Sequence, residues 1–135
     1  MKRTWWGVAA GLVVALGAVP APAHHAVAAQ YDMQKPIEIT GSLVKMEFIN
    51  PHSMLHLAVA NPDGSKTTWV FQTTNAGTLR SRGLARSGPG ALEPGAMYTV
   101  KGYAARNGNP MGFLRTLLFP DGREMVFWFG DPNGN

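Results

Sequence analysis

From Ile37 onward the chain alternates apolar and polar positions, the period of a half-buried β-strand. Ile37, Ile39, Gly41 and Leu43 share one parity, and Val44, Met46 and Phe48 then take over on the other. A period of two that changes phase inside one long strand predicts a bulge or sharp bend, and Gly41 permits close backbone approach there. Asn50-Pro51 ends the strand. Ser53 to Ala60 predicts a second strand, with Leu55, Leu57 and Val59 inward and Met54, His56 and Ala58 on the other face. The turn Asn61-Pro62-Asp63-Gly64 leads to a return strand, Thr67 to Thr73, carrying Trp69 and Phe71 on one side.

A change of period follows. Asn75 to Arg82 predicts a short helix, capped by Asn75, turned inward through Leu79 and terminated by Gly83. Residues 84–96 hold Gly88-Pro89-Gly90 and Pro94-Gly95 and read as loop. Strands resume over Met97 to Ala104, Gly112 to Phe119 and Glu124 to Phe129, separated by turns at Gly108-Asn109-Pro110 and Pro120-Asp121-Gly122. Three strands, a helix and two further strands make the order of an OB-fold. The prediction is all-β with one short helix, an OB-like small Greek-key β-barrel of five to six strands. An unrelated small barrel or a sandwich is compatible with the same strand count.

Ahead of the strands the pattern is of another kind. Lys2 and Arg3 precede an apolar run from Trp5 to Val19, and Ala21-Pro22-Ala23 follows it, the layout of a secretory signal. Thr4 to Ala23 would also serve as an uncleaved anchor of roughly 20 residues. Val19-Pro20-Ala21 and Ala26-Val27-Ala28 are alternative cleavage sites. The expected organisation is a signal over 1–23, an arm over 24–36, a barrel domain over 37–129 and a flexible tail over 130–135. Such a chain is periplasmic or secreted, with no membrane span once the signal is cut.

Composition changes this picture in two ways. Removing 23 of 135 residues leaves 112, enough for one domain with one core. The net charge of +4 falls to +2 when Lys2 and Arg3 leave, so no nucleic-acid partner is expected. Cysteine is absent, which excludes disulfide staples and thiolate chemistry.

Cleavage after Ala23 would start the chain at His24-His25 with a free α-amine. An N-terminal histidine offers that amine and its ring Nδ1 to one ion, and a further imidazole completes the three-nitrogen histidine brace, which suits Cu(II). His25 offers a second mode, in which amine, intervening amide and imidazole chelate together. His52 or His56 would supply the third ligand, with Met54 as a thioether assistant. Four strand positions separate His52 from His56 by about 13 Å, too far for one ion, and His52 beside the loop is the better placed. Asp32 and Glu47 are candidates to orient a ligating ring. The plain alternative is a solvated arm, with His52 ordering its turn.

Aromatics form the other constellation. Trp69, Phe71, Tyr103 and Trp128 would make a ligand or partner face, although alternate aromatics in a barrel commonly fill its core. Catalytic signatures are missing. There is no Gly-x-Ser-x-Gly elbow, phosphate-binding glycine loop or His-Glu-x-x-His helix. The chain reads as a binding protein before an enzyme.

His24-His25, Tyr31-Asp32, Lys35-Pro36, Gly41-Ser42-Leu43 and Asn50-Pro51-His52 resemble a family of small exported bacterial proteins carrying a domain of unknown function. Trp69-Val70-Phe71, Leu79-Arg80, Pro94-Gly95 and Asp121-Gly122-Arg123 continue the likeness through the chain. The resemblance implies a periplasmic β-barrel with histidine motifs at its start and after its first strand, and no established activity. Ala26 stands where serine is common, and the loop Ser87 to Ala91 is longer. The expected function is periplasmic copper carriage, buffering or support of a redox partner. The alternative is a metal-free OB-like module binding an envelope protein or small ligand, and a brace-type copper oxidase is a third reading.

Overall fold

A computed structural model describes residues 24–128, and their side chains from Val27 on. The expected signal (1–23), the tail (130–135) and the side chains of His24 and His25 lie outside the described residues. Eight elements follow in order: α1 (His24–Gln30), β1 (Tyr31–Glu47), β2 (Met54–Ala60), β3 (Lys66–Gln72), α2 (Ala76–Ser81), β4 (Met97–Ala105), β5 (Met111–Leu118) and β6 (Glu124–Val126).

The strands are joined in the order β3-β2-β1-β4-β5-β6, and β3 pairs in parallel with β5 as well. That added pairing turns five strands into a ring, β1-β2-β3-β5-β4, with a helix between β3 and β4. The OB-like expectation is met in this mostly antiparallel, barrel-like arrangement. β6 lies outside the ring on the far half of β5, across from Thr116 to Leu118.

The phase change in β1 is a bulge. Leu43 pairs with Leu57 and Lys45 with His56, so Val44 is left over and is 48 % exposed. Leu43 and Phe48 both reach the core from opposite sides of this irregularity. At Gly41 an added Cβ would lie 2.8 Å from the Ala58 carbonyl oxygen, which is why β1 and β2 can approach there. Inside the ring Leu55, Leu57, Phe71, Val100, Leu114 and Leu117 pack together. Leu79 of α2 is fully buried among them. Asn75 caps α2 by accepting from the Thr78 amide at 2.9 Å. Gly83, at φ 91°, follows the helix in the left-handed region.

Two boundaries differ from the alternation. β1 starts at Tyr31 rather than Ile37, because Tyr31 and Met33 already alternate inward and are buried. Pro36 is tolerated inside the strand because the ladder is irregular between Tyr31 and Pro36, where a missing amide donor disrupts least. β6 ends at Val126, and Phe127 continues only through its amide, which donates to the Arg115 carbonyl at 2.8 Å. A second helix, α1, precedes the barrel. Its His-His-Ala-Val-Ala-Ala-Gln sequence is too short to display a period, yet alanines favour the helical form and Val27 and Ala28 find partners.

Those partners form a second apolar cluster, separate from the barrel core. Tyr31, Met33, Tyr103 and Phe113 are buried in it, with Val27, Ala28, Ala105 and Trp128 packed against them. The segment expected as an arm is therefore docked from Val27 on.

Candidate functional site

The loop Asn50-Pro51-His52 between β1 and β2 is held from both sides. Ser53 is fully buried, and its hydroxyl donates to the Ile49 carbonyl at 3.1 Å and accepts from the Ile49 amide at 3.3 Å. The Ser53 amide donates to Thr74 and the Thr73 amide to Ser53, each at 2.9 Å. The Asn50 side-chain oxygen accepts from the Ala76 amide at 3.2 Å, tying the loop to the start of α2. These bonds spend the motif's asparagine and the following serine on structure. His52 is left exposed, with no hydrogen bond to another described residue.

His52 borders a cavity of about 210 Å³ that it shares with Val27, Thr73, Phe113, Phe127 and Trp128. Three rings give it an apolar lining, and Phe113 and Trp128 meet nearly edge to face, 5.4 Å between centroids at 84°. Thr73 is 1 % exposed, and its hydroxyl has no hydrogen-bond partner among the described residues. A buried polar group left unpaired costs about 1–3 kcal/mol.

Val27 reaches the cavity because α1 is fixed at its other end. Arg106, just past β4, donates through Nε to the Ala28 carbonyl at 2.9 Å, and its amide donates to Gln30 at 2.9 Å. A cation on these terminal carbonyls also suits the negative end of a helix. Its guanidinium lies 3.9 Å from the Asp32 carboxylate. Tyr31 donates to the Gln72 side-chain oxygen at 3.1 Å, and burial pushes the phenol pKa up from its ordinary value. The motif Tyr31-Asp32 thus locks the helix to β3 and β4.

The other candidates lie elsewhere. His56 is half-buried on the outer face of β2, with Nε2 2.8 Å from the Glu47 carboxylate. Glu47 also meets Lys45 Nζ at 2.6 Å, and the hydrogen bond from Lys45, then that with His56, holds its carboxyl below the usual range. Met54 sits in β2 opposite Glu47 and Gln72. It does not share a strand face with His52, since His52 precedes the strand and belongs to the loop. Asp32 and Glu47 are engaged with Arg106 and with Lys45 and His56, away from His52. Among the described residues no three His, Asp or Glu side chains gather as a metal-ligand group. The backbone of His24 and His25 forms the first turn of α1, one turn ahead of Val27.

The aromatic candidates divide between the two clusters. Trp69 stacks on Phe71, 5.8 Å apart at 15°, with Phe71 fully buried in the barrel. Tyr103 is buried in the outer cluster, where Trp128 meets its ring edge to face at 6.1 Å. The four residues do not compose one face. Thr73 is the cavity residue that motif reading passes over. Its signal is parity: it follows Phe71 by two positions and so places a hydroxyl where the alternation calls for an apolar side chain.

No curated protein matches the chain. The profile of a family of unknown function (DUF6152) matches residues 11–115, so the chain belongs to that family. The match spans His24-His25, Asn50-Pro51-His52 and Thr73, and it ends before Phe127 and Trp128.

Proposed function

We propose that the chain is exported to the periplasm, is cut after Ala23, and binds copper through the α-amine and ring of His24 with His52 as the third ligand. Its role is carriage or buffering of copper, or supply to a redox partner. The observation that carries this reading is the shared cavity: Val27, one helical turn after His24, lines the same hollow as His52. Three residues of helix rise about 4.5 Å, and positions three apart lie on one helical stripe. His52 is further suited by its exposure and by having no hydrogen-bond partner among the described residues, whereas His56 has Nε2 engaged by Glu47 and keeps only Nδ1 for a metal.

Amine and imidazole must both be unprotonated to bind, so affinity falls as pH is lowered and protons compete with the metal. Copper titration of the secreted protein against a competing chelator tests the assignment. One glycine placed before His24 should weaken binding by more than the roughly 10–100-fold that a lost outer-shell partner costs, because it breaks the chelate itself. His52→Ala should do the same. Unchanged affinity in both variants overturns the reading and leaves the metal-free module.

A further inference from the structure

A second hollow, of about 370 Å³, lies where the end of α1 meets the end of β3 and the turn between β4 and β5. It shares no wall residue with the cavity beside His52. Gln72, the last residue of β3, supplies its buried polar wall. Strand parity turns this side chain away from the core, opposite to Phe71, and only 9 % of its surface is exposed. The Tyr31 hydroxyl donates to its Oε1 at 3.1 Å, which fixes the carboxamide and leaves Nε2 without a partner among the described residues. Nε2 is nonetheless open to water. Among the described residues, Thr73 Oγ1 alone is a side-chain polar atom both unpaired and sealed. Tyr31 and Gln72 both line the hollow, so the amide held by Tyr31 stands at its wall. Arg106 is the one charged residue of the lining. Its Nε is taken by the Ala28 carbonyl and its Nη1 lies 3.9 Å from Asp32, while Nη2 bonds to no described residue. Asn107 lies beside it with its side-chain oxygen taken by the Asn109 amide at 3.0 Å, so its NH2 is what remains. Ala29, Ala105 and Met111 complete the wall with apolar surface.

We propose that this hollow binds one small aliphatic monocarboxylate, its carboxylate between Gln72 Nε2 and the Arg106 guanidinium and its alkyl end against Ala105 and Met111. The unpaired atoms of Gln72, Arg106 and Asn107 are all N–H donors, so the occupant must accept. A charged acceptor makes hydrogen bonds about twice as strong as a neutral one, and a carboxylate matches the planar guanidinium. One negative charge is the limit. Arg106 is a single cation with Asp32 already near, too little to balance a dianion such as phosphate. The apolar part of the wall favours a ligand with a short carbon body over an inorganic ion. The site goes beyond copper binding and holds whether or not a metal is present.

Propionate and its uncharged isostere propionamide are titrated into the chelator-treated secreted protein at constant ionic strength. The side-chain NH2 signals of Gln72 in the NMR spectrum report the polar contact, and the Met111 methyl reports the alkyl end. Both should shift saturably with propionate along one isotherm, and propionamide should bind at least about tenfold more weakly. Gln72→Glu keeps an acceptor for Tyr31 and nearly the same shape, yet exchanges the donor for a like charge. Its affinity for propionate at pH 7 should fall by at least about tenfold. Gln72 signals that stay still, or shifts confined to other parts of the molecule, overturn the site, and this result needs no variant. Equal affinity for the two compounds overturns the carboxylate, and unchanged propionate affinity in Gln72→Glu overturns Gln72 as its anchor. Because the protein is metal-free in this experiment, its outcome is separate from that of the copper titration.

Discussion

Two histidines four positions apart show how differently one strand can treat the same side chain. His56 lies within β2, on the face away from the core, where it pairs with Lys45 across β1 and its Nε2 meets the diagonal Glu47 carboxylate at 2.8 Å. His52 lies just before β2, in a loop whose neighbours Asn50 and Ser53 take up the hydrogen bonds. It reaches the mouth of a cavity with both ring nitrogens uncommitted to other described residues. The difference is one of placement relative to the ladder. A side chain in register with another strand acquires a partner from that strand, whereas a pinned loop can hold a backbone still and leave one side chain available.

Breaking the His52 side should have the largest effect. Trp128→Ala removes a half-buried ring that packs on Tyr103 and Phe113 and walls the cavity. Urea unfolding should show a loss of about 2 kcal/mol, below the full cost of a completely buried tryptophan. The NMR signals of His56 should stay where they are. If they move with the loss, the two surroundings are not independent.

Arg106→Ala acts on the same side without touching the cavity. It removes the bond to the Ala28 carbonyl while the backbone bond to Gln30 survives. Amide exchange in α1 should quicken about tenfold, with global stability down by about 1 kcal/mol. Equal exchange in the two proteins would mean that the backbone bond to Gln30 and the packing of Val27 and Ala28 hold the helix without the arginine side chain.

The smallest effect belongs to the His56 side. Glu47 has its pKa lowered in the folded state, chiefly by Lys45 and then by His56. Its contribution is therefore present above the ordinary glutamate value and is lost as pH falls through the lowered folded value. Thermal unfolding of Glu47→Gln should lie slightly below that of the parent at pH 7 and coincide with it at low pH. A gap that widens on acidification would contradict this sign. The pair is exposed on its glutamate side, so solvent screening keeps the change small.

Much of the barrel was legible because alternation survives wherever one face is buried. Leu55, Leu57 and Phe71 keep strict parity, and the phase change between Leu43 and Phe48 marked the bulge that leaves Val44 outside. Asn75, Leu79 and Gly83 likewise announced α2 through cap, core contact and stop. The outer cluster was harder to read. Val27 and Ala28 bury themselves only because Tyr103, Phe113 and Trp128 come from distant segments, and a seven-residue helix has no room to show a period. At the site, motif and spacing singled out His52 over His56, and the structure puts His52 in the loop and Met54 at the start of β2. Thr73 required both parity and the absence of a partner, and the second is visible only in three dimensions.

The most direct test of the account is the ligand set of copper itself. Continuous-wave and pulsed EPR of the copper(II)-loaded secreted protein should show nitrogen coordination with two imidazole rings. His52→Ala should remove one ring from the spectrum, and His56→Ala should leave the spectrum unchanged. Loss of a ring in His56→Ala, or an unaltered spectrum in His52→Ala, would contradict the assignment of His52 as the metal-binding member of the pair.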